Sequence, residues 1–467
     1  MACVDFAPSC IKEGGWMSDP QYEPFSLLVT RVNAWLRSNQ HYSIVRLETI
    51  DIHPKSGVQD VRNTDTSWST NQLYYTTGKN NHVVRADKAM GVRSLADRAN
   101  GWLRSNPHYR VVAIETLDVF PKYGRALAKA QSQFTVMTSY YVTRSNNSSK
   151  THRSSKILGL RIWYAQAGAE QIAPQQFGFI NLPPALLDHH DRPDFETFGQ
   201  TINKFNEGRS YRPLSGAILN METVTIRTDS KGRADPDGTY FSGSVSYDLT
   251  FIRIFFIIGD KPVAEEIGCA DFVPNYLGGE DHAFEGLTSV FNKASDWVTQ
   301  QAGIRVTNIE SPWCKVKSEH EIDSQRVLNH FWSGTPILRF VRVWYVKPLD
   351  ASLQLPPPPM LRCQMFVPAR MKTAGSLEKQ FESVFDLTAR VCQWLPRAGG
   401  RLMSVETITV PVSQYLDKVD PDRTRSRHKH HQKTFLRFYF DGEFQPPNPS
   451  TFPAPGEVVD NSSCEIM

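Results

Sequence analysis

The chain has 467 residues, more than one hydrophobic core of ordinary size serves, so about three or more folding units are expected. Hydrophobic residues make up 40% and charged residues 21%, with 28 Gly and 30 Pro, which excludes a wholly disordered or collagen-like chain. A net charge of +4 is too small, for this length, to mark a dedicated nucleic-acid binder.

The N-terminal residues contain no apolar core of signal-peptide length. No stretch approaches the ~18 apolar residues of a membrane helix. The longest apolar run, Leu249 to Ile258, contains Arg253 and is strand-like in its residues. The seven cysteines, at 3, 10, 269, 314, 363, 392 and 464, are scattered and include no CxxC pair. Neither a disulfide framework nor a structural zinc site is expected, and a reducing, cytoplasmic setting fits.

In chain order, the first predicted elements are a strand, Cys3-Val4-Asp5-Phe6-Ala7-Pro8, and a helix. The helix places Phe25, Leu28, Val32, Trp35 and Leu36 on one face. From Val32 the chain reads VNAWLRSNQHYSIVRLETIDIHPK. Sixty-seven residues later, from Ala99, it reads ANGWLRSNPHYRVVAIETLDVFPK, and no gap is needed. Trp35 maps onto Trp102, and Glu48-Thr49 onto Glu115-Thr116. Val92, Leu95, Ala99, Trp102 and Leu103 form the matching helix face. Fainter copies follow at Glu222-Thr223, at Trp297 with Glu310-Ser311, and at Trp394 with Glu406-Thr407.

The later copies end in a strand of apolar, Arg, apolar, aromatic, aromatic residues around Arg161, Arg253, Arg342 and Arg437. The leading strand recurs at Cys269-Ala270-Asp271-Phe272-Val273-Pro274 and Cys363-Gln364-Met365-Phe366-Val367-Pro368, and more loosely at Phe179 to Pro184. The expected fold is α+β: five internal strand-helix-strand-strand repeats, with mostly antiparallel sheets and helices packed on one face. The units are 1–88 without a final strand, 89–166 without a leading strand, 175–260, 266–347 and 362–442. A Pro-rich linker, 348–361, precedes the last unit, and a disordered tail, 443–467, follows it. The two missing strands fall together near His82 to Gly91, as one deletion would leave them, so units 1 and 2 are expected to share an incomplete sheet.

Strand alternation puts each recurring Glu and Arg on largely apolar faces. Cross-strand pairs are expected between Glu115 and Arg161, Glu222 and Arg253, Glu310 and Arg342, and Glu406 and Arg437. They would fix register, because a one-residue slip buries an unpaired charge. Glu48 lacks its partner if unit 1 has no final strand, and is then expected to be exposed or to borrow another cation.

The loop from Tyr123 to Lys156 carries Arg125, Lys129, Arg144, Lys150, Arg153 and Lys156 with no acidic residue. A second basic loop holds Arg423, Arg425, Arg427, Lys429 and Lys433. Insertions at one position of a repeat emerge on one side, so the two loops suggest a shared patch for an anionic membrane surface or an acidic protein partner. His428, His430 and His431 lack the spaced cysteines or carboxylates of a metal site. Asp188-His189-His190-Asp191 reads as a polar loop ahead of a helix starting at Asp194, and Asp235-Pro236-Asp237-Gly238 as a hairpin turn rather than a calcium loop. The chain ends Cys464-Glu465-Ile466-Met467, the form of a prenylation box in which Met favours farnesyl, although Glu465 departs from its aliphatic preference.

No GxSxG, GxxxxGK[ST], GxGxxG after a strand or HExxH occurs, so no catalytic residue, metal or cofactor is expected. The leading expectation is a non-enzymatic scaffold, tethered to a membrane through Cys464 and the basic loops. The alternatives are a small-molecule or lipid-binding module with clefts between units, and an enzyme whose site is assembled between units.

Overall fold

The computed structural model describes residues 2–6, 10–12, 21–22, 44–48, 100, 104, 109–119, 137–138 and 154–166 in the first part of the chain. Beyond these it describes 175–188, 193–228, 232–237, 240–243, 247–278, 283–318, 321–329, 336–350, 352–353, 355–371, 380–382, 384–411, 420–427 and 431–455. The first part contains β1 (Ala2–Phe6), a hairpin of β2 (Cys10–Lys12) and β3 (Gln21–Tyr22), then β4 (Ile44–Glu48), β5 (Tyr109–Val119), β6 (Met137–Thr138) and β7 (Ser154–Gln166). Next come β8 (Gln176–Leu182), a hairpin of β9 (Leu186–Asp188) and β10 (Asp194–Phe195), helix α1 (Phe198–Glu207), β11 (Leu214–Arg227), β12 (Tyr240–Gly243) and β13 (Asp248–Val263). The third stretch holds β14 (Glu265–Phe272), a hairpin of β15 (Tyr276–Gly278) and β16 (Ala283–Phe284), and helix α2 (Leu287–Thr299). It continues with β17 (Arg305–Glu310), β18 (Trp313–Ser318), β19 (Glu321–Ile322), β20 (Leu328–Asn329), β21 (Pro336–Arg339) and β22 (Val341–Pro348). The last has β23 (Leu361–Phe366), a hairpin of β24 (Arg370–Met371) and β25 (Gln380–Phe381), helix α3 (Val384–Ala398), β26 (Arg401–Pro411), β27 (Arg425–Arg427) and β28 (His431–Asp441). The described protein is thus mixed and strand-rich, with three helices and several antiparallel sheets.

In each main sheet the Arg-bearing strand lies in the middle. β13 runs between β8 and β11, β22 between β14 and β17, and β28 between β23 and β26. In the first sheet β7 pairs with β1, which places Asp5 opposite Arg161. β4 and β5 both meet β7 in one register, with Glu48 and Glu115 each opposite Arg161. The register thus places an Arg-bearing strand beside Glu48 although its own segment carries none. β1, from the start of the chain, and β7 thus lie in the same sheet. β4 and β5 also pair in parallel, Glu48 with Glu115, an exception to the antiparallel pattern.

The strand before each Glu is interrupted at the same place. Register shifts fall between Ile44 and Arg46, Val111 and Ala113, Ile218 and Asn220, Val306 and Asn308, and Leu402 and Ser404. Such a bulge re-aims the residue that follows it. Here that residue stands two positions before the Glu.

Four short strands from connecting segments pair with strands distant in the chain. β12 pairs with β7, β20 with β13, β27 with β21, and β6 with β28. These strands are two to four residues long, as suits an edge that must not template further pairing.

Each helix packs on its own sheet and on the next. α1 buries Phe198, Ile202 and Phe205 against Ile218 and Ile254, and also against Ile267, Trp344 and Val346 of the following sheet. α2 sets Leu287, Val290, Phe291 and Val298 against Val306 and Val343 and reaches Leu361 and Tyr439. α3 sets Leu387, Val391 and Trp394 against Val405 and Phe438, and Trp163 of β7 completes that cluster. Trp163 meets Phe438 edge-on at 5.8 Å.

Three expectations are corrected. The helix after the Asp188–Asp191 loop starts at Phe198, not Asp194, which lies in β10; Thr197 and Gln200 form a reciprocal capping box. Pro348 and Leu361, assigned to the linker, belong to β22 and β23. The tail, read from its prolines as disordered, packs on α3 as far as it is described. Phe444 stacks on Phe440 at 4.6 Å, Phe452 lies 5.4 Å from Phe366, and Arg390 donates to the Pro453 carbonyl. Cys464 lies outside the described residues.

Candidate functional site: the seams between sheets

The recurring Glu and Arg lie where one sheet meets the next. Glu222 is opposite Arg253, Glu310 opposite Arg342 and Glu406 opposite Arg437. Each of these carboxylates also accepts from the residue after the preceding Glu. Glu222 accepts from the Thr116 N–H and hydroxyl, Glu310 from those of Thr223, and Glu406 from those of Ser311. Arg253, Arg342 and Arg437 donate through Nη1 to the same three hydroxyls. The Glu-Thr or Glu-Ser dipeptide therefore serves two sheets. Its Glu completes its own sheet's cluster, and its hydroxyl residue completes that of the next.

The residue after the bulge makes a second link. Asn220 exchanges hydrogen bonds with the backbone of Ile114, Asn308 donates to Met221 O, and Ser404 donates to Asn308. A third link comes from the helices. Asn100 exchanges two hydrogen bonds with the backbone of Phe177, Asn206 does the same with Ile267, and Ser295 donates to Leu361 O.

The direct ion partner of Arg342 differs from the expected one. Its Nε and Nη2 grip the two oxygens of Asp271 at 2.7 Å each, with a further bond from Nη2 to Ser324 O. Arg253 has Asn181 at the corresponding place and donates to Asn181 Oδ1 and Pro236 O. Arg437 has Met365 there, and its nearest Glu406 contact is 3.9 Å. Burial opposes the charge on Arg342, but Asp271 outweighs it and holds the pKa above the usual arginine value. Arg253, without that acid, is pulled down to about 10 by burial, against the field of Glu222. Burial also raises Glu310, although Arg342, Thr223 and the Trp344 indole N–H at 2.7 Å all favour its charge.

Two further recurrences emerge from the structure, the first of them extending the turn read at Asp235-Pro236-Asp237. Asp235-Pro236-Asp237, Asp323-Ser324-Gln325 and Asp420-Pro421-Asp422 each close a turn by a bond from the third N–H to the first carboxylate, at 2.9–3.0 Å. The latter two turns each cap a helix that lies earlier in the chain, Gln325 on α1 and Asp422 on α2. The second motif is Glu-x7-Lys/Arg. Glu196 pairs with Lys204, Glu285 with Lys293 and Glu382 with Arg390, tying each hairpin to its helix. Glu23 and Arg31 show the same spacing, whereas Met90 stands 67 residues after Glu23.

Among the basic-loop residues, Arg423 is exposed, Arg425 lies in β27 opposite Leu338, and Arg427 is opposite Pro336. Lys156 is opposite Phe241, and Lys433 opposite Val410. β6, from the first basic loop, meets the end of the second: Thr138 is opposite His431 and Met137 opposite Gln432. Arg125, Lys129, Arg144, Lys150, Arg153 and Lys429 lie outside the described residues, as do His428 and His430.

Among the described residues no group of three or more His, Cys, Asp or Glu could hold a metal. Burial lifts the thiols of Cys269 and Cys314 to about 12, which keeps both protonated and poorly nucleophilic. No described helix is long and apolar enough to cross a membrane.

No family model matches the chain, and no solved structure matches it. A DNA gyrase subunit from Treponema pallidum (strain Nichols) is 28% identical over 152 residues, 32% of this chain and 15% of that protein. So short and distant a likeness establishes no family membership.

Proposed function

We propose that the chain is a non-enzymatic scaffold built of five copies of one strand-helix-strand-strand module, closed into a ring of four sheets. One observation carries this reading: the recurring charged groups are consumed in contacts within and between sheets. They serve assembly and leave the variable loops to carry recognition. Closure is supported by Trp163 in the core of the fourth sheet and by the pairing of β6 with β28. Copies 1 and 2 serve one place in the ring, since β4 and β5 share a register on β7.

The recognition surface in this reading is the side where the two basic loops meet, and its target is an anionic membrane. Each Lys or Arg held near such a surface contributes about 1 kcal/mol. A farnesyl group on Cys464 would add the second signal that stable anchoring needs. Sedimentation with phosphatidylserine-containing vesicles should carry the protein down, and neutral phosphatidylcholine vesicles should not. Changing Arg423, Lys429 and Arg153 together to Gln should weaken binding by about 10²-fold, at roughly 1.4 kcal/mol per tenfold. Equal binding to both vesicle types would contradict the proposal. Intact mass from a eukaryotic host reads the lipid separately.

A further inference from the structure

The three described seams are not equal in charge. Around Arg342 stand two carboxylates, Asp271 and Glu310. Around Arg253 stand Glu222 and the neutral Asn181, and Asp237, beside the Pro236 carbonyl that Arg253 binds, also favours its charge. The seam between the third and fourth sheets departs in the other direction. Arg437 faces Met365 where Asp271 and Asp5 stand in other sheets, and a second arginine, Arg339, enters the same region. Both guanidinium groups are buried, Arg339 with 0% and Arg437 with 4% of its surface exposed.

Arg339 reaches across from β21 and donates Nη2 to Thr409 O at 2.7 Å, and its guanidinium carbon lies 4.2 Å from the Trp313 ring centroid. Its Nε and Nη1 are buried and have no hydrogen-bond partner. The carboxylate acting on it, Glu406, is already committed. Its oxygens accept from the Ser311 N–H and hydroxyl and from the Tyr439 hydroxyl. Burial, and next the charge of Arg437, pull the Arg339 pKa down to about 9. Buried donors without partners are rare in folded proteins, and each calls for a water or an ion. Two buried cations against one shared carboxylate call for an anion.

We propose that the seam between the third and fourth sheets binds a small oxyanion of the phosphate or phosphomonoester class, with Arg339 as its principal donor and Arg437 as the supporting charge. This goes beyond the scaffold reading and stands without it, because it concerns a buried group and not the basic loops. The site was not visible in the sequence repeat, since Arg339 has no counterpart there: Thr250 and Thr434 occupy the same position before Arg253 and Arg437.

The test is thermal unfolding of the full chain in rising inorganic phosphate, against chloride at matched ionic strength. The wild type should show a saturable rise of about 3 °C at roughly a hundredfold excess over Kd. Arg339→Met should abolish the rise. Met365→Asp supplies the acid that other sheets carry and should weaken phosphate binding at least about tenfold, by a local charge that costs phosphate roughly 1.4 kcal/mol or more. No saturable rise in the wild type, or an equal rise in Arg339→Met, would overturn the proposal. If Arg339→Met does not fold, Met365→Asp decides alone, and an undiminished rise there overturns it.

Discussion

Substituting Arg342 with methionine should destabilise the protein by about 3–5 kcal/mol, because it leaves Asp271 and Glu310 buried without their cation. The loss is one-sided. Asp271 gives up two 2.7 Å charge-assisted bonds, and the turn carbonyl of Ser324 and the hydroxyl of Thr223 lose a donor. Replacing Asp271 by asparagine at the same time should recover part of that cost. It removes one of the stranded charges and gives the third sheet the residue type that Asn181 supplies in the second. Urea unfolding of the single and double variants measures both effects. Equal stability of Arg342→Met and wild type would mean that the cluster contributes nothing.

Trp394→Ala should cost about 3–5 kcal/mol through the cavity it leaves. Trp394 is wholly buried on α3, 5.1 Å from Phe366, 6.0 Å from Phe440 and 6.2 Å from Phe444. The last of these contacts gives the substitution a local signature. Residues 443–455 depend on Phe444 and Phe452 for their hold on α3, so Trp394→Ala should expose that segment to proteolysis before the sheets unfold. Mass spectrometry after brief digestion shows where the first cuts fall. First cuts elsewhere would contradict the docking of the segment.

Much of the seam could be read from residue spacing. A Glu and an Arg on neighbouring strands, each on an apolar face, is a pattern that register alone resolves, and Glu222, Glu310 and Glu406 lie opposite Arg253, Arg342 and Arg437. The reading did not extend to what each carboxylate does with its remaining lone pairs. Thr116, Thr223 and Ser311 stood in the matched dipeptides, but their role concerns the neighbouring sheet, and a repeat compared with itself says nothing about how its copies touch. The Asp271–Arg342 grip is only faintly marked in the sequence: Asp5 and Asp271 recur in the leading strand, but Asn181 and Met365 break the pattern.

The loop strands were hidden for a different reason. β12, β20 and β27 are short, share no sequence, and pair with strands far away in the chain, so no local periodicity betrays them. In segment 443–455 composition and packing point in opposite directions. Its prolines suggested disorder, yet two phenylalanines eight residues apart are enough to seat it against Trp394 and Phe366.

Whether the first and fourth sheets close on one another is tested most directly by a double-mutant cycle on Trp163 and Phe438, with stability as the readout. Closure predicts a coupling of about 0.5–1.5 kcal/mol, as for an edge-on aromatic pair. Effects that add to within about 0.3–0.5 kcal/mol would mean the two rings do not touch, and the ring would be open.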